Sequence, residues 1–258
     1  MELRFSSDYT VILGCCGRIG YAVAEILDAS GCDLILVDIN KDRLENLFAN
    51  NRDSAPKKRV IYCIDVSTAE GRSQLFEGIA RDGLKCSTFI NCIYPKSTSW
   101  GCDIDELDDI ELQTSLGGHL GSFIMLSKDI MKHFLDIGEG NLIHLASIQG
   151  IMAPKFDHYE GTSMTSPIEY SAMKAGIIIM VKWLAKKYKN KSIRVNCVSP
   201  GGILDSQPES FLNRYRNSCT NQGMLSAAQV AEVIVFIASM NSYPINGQNI
   251  IVDDGWSL

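Results

Sequence analysis

The stretch T-V-I-L-G-C-C-G-R-I-G-Y-A-V-A-E-I-L, residues 10 to 27, joins an apolar run, a glycine-rich turn and an apolar pattern with helical spacing. We expect a buried strand over 10–13 and a helix over 19–27. Gly14 permits a tight turn, Gly17 lets backbone amides approach a phosphate without a Cβ in the way, and Gly20 lets helix and strand pack closely. The stretch therefore predicts a phosphate-binding turn at the helix N-terminus.

The same alternation of strand and helix continues along the chain. Six more apolar runs of strand length occur at 34–37, 60–64, 88–93, 141–146, 193–198 and 249–252. Helical spacing of apolar residues recurs at 75–79, 123–135, 177–188 and 230–237. This order predicts a single α/β domain over residues 1–258, a Rossmann-type doubly wound parallel sheet of about seven strands with helices on both faces. Ligands of such sheets bind beyond the carboxyl ends of the strands.

Composition excludes several classes of partner and site. The 24 basic residues face 30 acidic ones, a net charge of −6 without a basic stripe, so we expect no nucleic-acid partner. Because no apolar run approaches ~18 residues and the N-terminus lacks an apolar secretory region, we expect no membrane insertion and a cytoplasmic location. Nine cysteines are scattered without metal-ligand spacing, which predicts reduced, mostly buried thiols and no metal site.

An acidic residue, Asp38, directly follows the second apolar run, L-I-L-V. A carboxylate there can accept hydrogen bonds from both adenosine ribose hydroxyls and would repel a 2′-phosphate, which favours NAD over NADP. Three nearby cations, Arg18, Lys41 and Arg43, could weaken this preference. Alternatively, Asp38 caps the helix that begins at N-K-D-R-L.

A possible catalytic group follows the fifth run, N-L-I-H-L-A-S, which ends at Ser147 on the predicted ligand edge. Tyr170 and Lys174 are four residues apart in E-Y-S-A-M-K and share one face of a helix. A tyrosine titrates near 10, so the Lys174 ammonium is expected to lower the pKa of Tyr170 for proton transfer. The alternative is a lysine that extends along the surface beside an ordinary tyrosine.

These motifs, taken in order, resemble those of the short-chain dehydrogenase/reductase family. Besides the glycine turn and Asp38, the matching segments are I-D-V (64–66), Asn91, A-S-I-Q-G (146–150), Y-S-A-M-K (170–174), R-V-N-C-V-S-P-G-G (194–202) and N-G-Q-N-I-I-V-D-D-G (246–255). The resemblance implies an NAD(P)-dependent oxidoreductase with Tyr170 as general acid/base, Lys174 as its activator and ribose ligand, and Ser147 bound to the reacting oxygen. It also implies a homodimer or homotetramer, and cofactor contacts from Gly14, Gly17, Arg18, Ile19, Gly20, Asp38, Asp65, Val66, Asn91, Tyr170, Lys174, Pro200, Gly201 and Ile203.

Two features depart from the family pattern. Gly118 stands where the family usually has an asparagine that holds a proton-relay water, and His119 either substitutes for it or is a packing residue. The G-x-x-G-x-x-G turn is similar to that of the nucleotide-sugar epimerase branch, but the chain has no room for that branch's added substrate domain.

Two segments are expected to enclose the substrate. One is an insertion at about 150–168, whose wall we expect to be polar, with side chains Lys155, His158, Tyr159, Glu160, Thr162 and Ser163. The other is a lid at about 202–225 that carries Arg214 and Arg216 on a short helix. The two arginines either grip a phosphate or carboxylate or lie on a solvated helix face.

A polar pocket favours a hydroxylated small-molecule substrate such as a sugar phosphate or nucleotide sugar. The segments E-G-T-S-M-T-S-P-I-E-Y-S-A-M-K, S-P-G-G-I-L-D-S-Q-P-E-S-F and I-N-G-Q-N-I-I-V-D-D-G-W-S-L resemble bacterial flagellin-modification oxidoreductases linked to legionaminic-acid synthesis. That resemblance implies an alcohol-to-ketone interconversion in bacterial surface-glycan or nonulosonate production. The alternatives are an epimerase with tightly held NAD and a non-catalytic dinucleotide-binding regulator.

Overall fold

A parallel sheet forms the centre of the computed structural model, which describes residues 2–48, 58–96 and 101–258. Its seven strands run in the order β3-β2-β1-β4-β5-β6-β7. They are β1 (Tyr9–Leu13), β2 (Leu34–Asp38), β3 (Arg59–Cys63), β4 (Cys86–Asn91), β5 (Gly140–Leu145), β6 (Ile193–Pro200) and β7 (Asn249–Val252). The order reverses between β1 and β4, so their connecting loops diverge and leave a crevice at the carboxyl ends. The predicted doubly wound α/β fold is confirmed.

Helices connect the strands and cover the sheet. They are α1 (Arg18–Ala29), α2 (Lys41–Phe48), α3 (Ala69–Arg81), α4 (Asp109–Leu116), α5 (Ser122–Ile137), α6 (Ile168–Lys187), α7 (Glu209–Asn217) and α8 (Ala227–Ala238), with a π-helical turn, Gly117–Gly121, between α4 and α5. The strand predicted at 88–93 ends earlier, at Asn91, because the side-chain oxygen of Asn91 accepts the Ile93 amide at 3.2 Å and turns the chain. The helix predicted at 75–79 begins earlier, because the Thr68 hydroxyl caps it by accepting the Gly71 amide at 3.0 Å.

The two faces of the sheet bury different residues of the same strands. On β1, Val11 belongs to the core shared with Phe123 of α5, whereas Ile12 belongs to the core shared with Val23 of α1 and Val230 of α8. All of these side chains are buried. Because successive side chains of a strand point to opposite faces, an uninterrupted apolar strand needs helices on both sides.

Most of the cysteines are buried, as the sequence predicts. All nine cysteines are free; five are buried, but Cys63 is exposed at the end of β3. Within the three described ranges, no helix is both long enough and apolar enough to cross a bilayer.

Candidate functional site

A cavity of about 700 Å³ opens at the carboxyl ends of β1 to β4. Its walls include five of the residues that the sequence assigns to cofactor binding, namely Gly14, Gly17, Asp38, Asp65 and Val66. Arg43 and Gly118, which the sequence analysis also named, line the cavity as well. The sequence did not single out several other lining residues, among them Cys16, Asn40, Cys92, Tyr94, Lys96, Thr114 and Ser115. Most of these follow a strand end directly, so their position in the sequence was the available signal.

The glycine turn is required by close backbone approach. Gly14 has φ +76°, and a Cβ on it would lie 2.9 Å from the Cys92 carbonyl carbon. A Cβ on Gly20 would lie 2.2 Å from the Gly14 carbonyl oxygen, so the first turn of α1 packs on the strand only with glycine there. Gly17 is the N-cap of α1 and makes no side-chain cap bond. The first amides of α1 therefore meet the cavity without a capping side chain, an arrangement suited to a pyrophosphate.

Asp38 connects β2 to the glycine turn. Its Oδ2 accepts the Cys16 amide at 2.9 Å, and its Oδ1 accepts the Asn40 amide at 3.0 Å. The Asn40 side chain, not Asp38, accepts the Arg43 amide at 3.0 Å at the start of α2, so the helix-cap alternative for Asp38 is wrong. Each carboxylate oxygen keeps acceptor capacity for a ribose hydroxyl.

The three neighbouring cations have different roles. Arg18 pairs with Asp205 of the lid segment, and Lys41 approaches Glu45 on the exposed side of α2 at 3.8 Å. Arg43 lines the cavity. Of these three cations, Arg43 is therefore the one placed to meet a 2′-phosphate beside Asp38.

Asn91 is the last residue of β4, and its side chain is buried in the interior. Its amide nitrogen bonds Nδ1 of His144 at 3.1 Å, and Nε2 of His144 bonds the Ser127 hydroxyl at 2.9 Å. Burial, reinforced by the charge of Lys174, lowers the pKa of His144 to about 3. The Asn91 side chain thus holds β4 to β5, and neighbouring residues such as Cys92 line the cavity instead.

Ser147, Tyr170 and Lys174 meet beyond the end of β5. The Ser147 hydroxyl hydrogen-bonds the Tyr170 side chain, and Lys174 Nζ lies 5.6 Å from the Tyr170 ring centre. Lys174 Nζ also donates to the Leu145 carbonyl at 3.0 Å. Gly150 makes this assembly possible, because a Cβ there would lie 2.6 Å from the Lys174 carbonyl carbon. The predicted triad is thus assembled by the contact of the 147–150 loop with α6.

Electrostatics at the triad differ from the sequence expectation. Burial raises the pKa of Tyr170, and the hydrogen bond from Ser147 opposes that rise. Burial lowers the pKa of Lys174 to about 7. In this structure the pKa of Tyr170 is therefore raised and not lowered as the sequence suggested, because withdrawal from water outweighs the Ser147 hydrogen bond.

The aromatic side chain of Tyr94 packs against the triad. The Tyr94 ring lies edge-on to Tyr170, with 5.8 Å between ring centres, and edge-on to His119, with 5.3 Å between ring centres. The sequence analysis missed Tyr94, although it lies three residues beyond Asn91 at the ligand edge.

His119 lies in the π-helical turn Gly117–Gly121, beside the cavity residue Gly118. Its ring stacks on Phe123, with 5.0 Å between ring centres, and its Nδ1 bonds the Pro95 carbonyl at 3.3 Å. Nε2 is buried without a hydrogen-bond partner, and burial lowers the pKa of His119 to about 3. The histidine is therefore a neutral packing residue with one free acceptor, not a proton-loaded relay at neutral pH.

The insertion uses its polar side chains to bind the lid and the C-terminus. His158 is buried, and its Nε2 bonds the Ser218 hydroxyl at 3.0 Å. Lys155 Nζ donates to the Trp256 carbonyl at 3.2 Å and lies 4.7 Å from the Trp256 ring centre. Of the six side chains expected in a polar pocket wall, Lys155 and His158 instead face an aromatic cluster built from Phe211, Tyr215 and Trp256.

The two lid arginines bind backbone carbonyls. Arg214 of α7 donates to the carbonyls of His158 and Glu160, which fastens the lid to the insertion. Arg216 Nε donates to the Gln222 carbonyl at 3.2 Å. The two arginines therefore differ. Arg216 is exposed on the helix face, as the second alternative expected, whereas Arg214 is half-buried and is not free to grip an anion with its whole guanidinium.

The predicted cofactor contacts Pro200, Gly201 and Ile203 lie where the lid begins, at the end of β6. Gly201 donates its amide to the Val252 carbonyl at 2.8 Å, directly after Pro200 ends β6. Ile203 pairs with Leu225 in an isolated parallel bridge. The start and the end of the lid therefore pair with each other just beyond the end of β6.

Comparisons with known proteins agree with this geometry. The model of the family described as enoyl-(acyl carrier protein) reductase matches residues 17–257. The post-translational flagellin modification protein A of Campylobacter coli is 39% identical over 249 residues, which cover 96% of this chain and 97% of that protein. A short-chain dehydrogenase from Leptospira borgpetersenii with bound NAD⁺ superposes with a TM-score of 0.87 at 23% identity, covering 99% of this chain and 94% of that one.

A second solved structure has the same fold with the phosphorylated dinucleotide. The L-sorbose reductase of Gluconobacter frateurii, complexed with NADPH and L-sorbose, has a TM-score of 0.84 at 23% identity and covers 100% of this chain and 99% of that one. This chain thus combines the glycine turn, the Ser147, Tyr170 and Lys174 triad and the seven-stranded sheet with a family match that spans nearly its whole length. The chain belongs to the short-chain dehydrogenase/reductase family and is an oxidoreductase of that type.

Proposed function

We propose that this enzyme interconverts an alcohol and a ketone on a sugar-derived substrate, a sugar phosphate or nucleotide sugar, with NAD as its preferred dinucleotide. The observation that carries the proposal is the meeting of Ser147, Tyr170 and Lys174 at the sheet edge where the cavity residues Gly14 and Asp38 also lie. The residues present fit a dinucleotide, because the uncapped first turn of α1 suits a pyrophosphate and Asp38 suits a ribose.

Each residue of the triad has a separate task in the proton transfer. A bound dinucleotide supplies the hydride acceptor or donor. The Tyr170 hydroxyl exchanges a proton with the substrate oxygen, and its raised pKa keeps it protonated, as the reduction direction needs. Ser147 hydrogen-bonds Tyr170 and is placed to bind the same substrate oxygen. Lys174, with its pKa lowered to about 7, can take up or release a proton near neutrality.

The choice of a hydroxylated substrate rests on polar groups beside Tyr170. The Ser166 hydroxyl donates to Oε1 of Gln149 at 2.8 Å, and Nε2 of Gln149 donates to the Tyr159 hydroxyl at 3.3 Å. This chain of polar groups offers partners for sugar hydroxyls, which supports the proposal even though Lys155 and His158 face the lid. The named role of the Campylobacter coli relative in flagellin modification supports a step toward a surface glycan, of the nonulosonate or legionaminic-acid type.

The dinucleotide preference is set by two opposed charges in the cavity wall. Asp38 favours NAD, whereas Arg43 lines the same cavity and attracts a 2′-phosphate. We favour NAD because Asp38 is held in place by two backbone amides.

The enzyme is proposed to work as a homodimer or homotetramer. The outer faces of α5 and α6 expose large apolar side chains, including Ile124, Met125, Ile179 and Trp183, the last 61% exposed. Covering such a patch is a normal reason for symmetric association. Sedimentation of the wild type and of Trp183→Glu tests this, and a monomeric wild type would contradict it.

The test of the activity is a substrate panel of sugar phosphates and nucleotide sugars with NAD or NADP, followed at the NADH absorbance band. Tyr170→Phe should lose roughly a thousandfold in kcat while it still binds the dinucleotide, because only the proton donor is removed. The control is Tyr243→Phe, which removes the hydroxyl of an exposed tyrosine and should change the rate by less than about tenfold.

The remaining outcomes distinguish the alternatives. Turnover of Tyr170→Phe at the wild-type rate refutes the assigned proton donor. Product formation without any net NADH change supports an epimerase, and dinucleotide binding without turnover across the panel supports a regulator.

A further inference from the structure

The adjacent cysteines of the glycine turn, Cys15 and Cys16, have no part in the activity described above. Their sulfur atoms and a carboxylate oxygen of Asp38 all lie within 4.8 Å of one another. Both cysteines are buried, and Cys16 and Asp38 line the cavity at the carboxyl ends of β1 to β4. In the described part of the chain, no other group of three histidine, cysteine or acidic side chains is drawn together in this way.

Two sulfurs and one carboxylate oxygen form a donor set with a clear metal preference. Thiolates select soft or borderline cations, and zinc binds sulfur at about 2.3 Å and carboxylate oxygen at about 2.0 to 2.2 Å. In a tetrahedral site two sulfurs lie about 3.8 Å apart, so small side-chain rotations bring the present atoms into range. Because Cys16 and Asp38 border the cavity, a fourth position is open to water or a ligand.

The alternative is a pair of protonated thiols that only fill the core. Cys15 and Cys16 do belong to the apolar cluster shared with α1 and α8. In that protonated state the Cys16 thiol hydrogen-bonds Asp38, and burial raises the pKa of both thiols, so a metal ion has to displace their protons in order to bind. Thiols that only fill the core would not bind soft cations. A measurement of cation binding therefore separates the two explanations.

We propose that Cys15, Cys16 and Asp38 form a site for a thiophilic divalent cation, Zn²⁺ or Cd²⁺, whose binding excludes the dinucleotide. The two thiols release two protons to solvent as two metal–sulfur bonds form, and the Asp38 carboxylate completes the protein ligands. A carboxylate that ligates a cation no longer accepts the ribose hydroxyls, and the metal occupies the wall of the cavity. The exclusion half rests on the proposed function, whereas the metal binding does not.

The experiment uses the reduced full-length chain and Cd²⁺ as the probe. We expect one Cd²⁺ per chain by equilibrium dialysis and an ultraviolet cadmium–thiolate absorption band. Cys15→Ser and Cys16→Ser should each weaken Cd²⁺ binding at least tenfold, because each removes one of the two sulfur ligands. Cys219→Ser, which removes a half-buried lid thiol outside the cluster, is the matched control and should bind as the wild type does.

The second measurement is competition with the dinucleotide. At a Cd²⁺ concentration about ten times its wild-type Kd, the apparent Kd for NADH, read from its fluorescence, should rise about tenfold in the wild type and no more than about twofold in Cys16→Ser. By linkage, NADH should weaken Cd²⁺ binding by the same factor. Circular dichroism identifies a variant that has not folded, and Cys16→Ser then decides the result if Cys15→Ser does not fold.

Each outcome bears on one half of the proposal. Cd²⁺ binding that survives in both folded serine variants, or that disappears in Cys219→Ser, overturns the site. Cd²⁺ bound at the cysteines with an unchanged NADH affinity overturns the exclusion. A wild-type chain that binds no dinucleotide even without Cd²⁺ refutes the proposed function and leaves the metal site standing.

Discussion

The dinucleotide side and the substrate side of the cleft follow different rules. On the dinucleotide side, Gly14, Gly20 and Asp38 lie where a local motif predicts, because each position is constrained by backbone within a few ångströms. On the substrate side, His158 was expected in a polar pocket wall and Arg214 either at an anionic ligand or on a solvated helix face, yet both bind protein groups. Short-range backbone geometry is thus readable from sequence, whereas the partner of a long polar side chain depends on which distant loop packs beside it.

The largest expected effect comes from Gly20, a position on the dinucleotide side that nearby backbone atoms constrain. Gly20→Ala should lower the free energy of unfolding by about 4 kcal/mol or more and abolish dinucleotide binding, because the new Cβ would lie 2.2 Å from the Gly14 carbonyl oxygen. Gly17→Ala is the control, since its Cβ meets nothing closer than 3.4 Å, and it should change stability by less than about 1 kcal/mol. Urea unfolding measures the stability of both variants, and NADH titration measures their dinucleotide binding. A Gly20→Ala variant that binds NADH with the wild-type affinity would contradict this expectation.

The next effect concerns Lys174, where the two sides meet. Its pKa is lowered to about 7, against about 10.4 when unfolded, so between these values the unfolded chain binds more protons and the wild type gains stability as pH rises. Below pH 7 both states are charged and the burial penalty is fully present. Lys174→Met should therefore be more stable than the wild type at pH 6, and this advantage should shrink by about 3 kcal/mol by pH 10.

Urea unfolding at several pH values measures the Lys174 effect. Lys182→Met, which removes an exposed lysine from the same helix, is the control and should follow the wild-type profile. A constant difference between Lys174→Met and the wild type across this range would show that the ammonium is not penalised by burial.

A smaller effect tests the charges that choose the dinucleotide. Asp38→Ala should weaken NAD binding about thirtyfold, or about 2 kcal/mol, because charge-assisted bonds to the ribose are lost. NADP binding should fall much less, because removal of the carboxylate also removes repulsion. Arg43→Gln should weaken NADP and leave NAD nearly unchanged. Fluorescence titration with both reduced dinucleotides measures this, and equal losses for both would rule out a discriminating role for Asp38.

The smallest effect tests the substrate side. Arg214→Gln should cost about 1 to 2 kcal/mol of unfolding free energy, because the clasp to the His158 and Glu160 carbonyls is lost. It should raise KM by the same factor for phosphorylated and unphosphorylated sugars. Arg216→Gln, the matched control, should stay within about 0.5 kcal/mol of the wild type. A KM increase confined to phosphorylated substrates would restore Arg214 as an anion ligand.

Features that depend on residues close together in sequence could be predicted, whereas features that depend on distant residues could not. The strand and helix order, the glycine turn and the i, i+4 spacing of Tyr170 and Lys174 are local patterns, and the sheet confirmed the architecture they predicted. Tyr94 was missed because its contact with Tyr170 joins residues 76 positions apart in sequence, and no local pattern marks it.

Burial explains the errors about charge. The sequence shows that Lys174 is one helical turn from Tyr170, but not that both are withdrawn from water, which raises the pKa of Tyr170 and lowers that of Lys174. Desolvation is a property of everything packed around a group, and it opposes the attraction that spacing alone suggests.

By itself, the sequence determined the alternation of strands and helices and the backbone positions that only glycine can occupy, because both follow from local sterics and the burial of apolar runs. Only the tertiary structure decided that Asp38 is tied to the Cys16 amide, that two cysteine sulfurs gather beside it, and that the lid arginine grips backbone. These contacts join segments far apart in sequence, and their energy exists only once the whole sheet has brought the segments together.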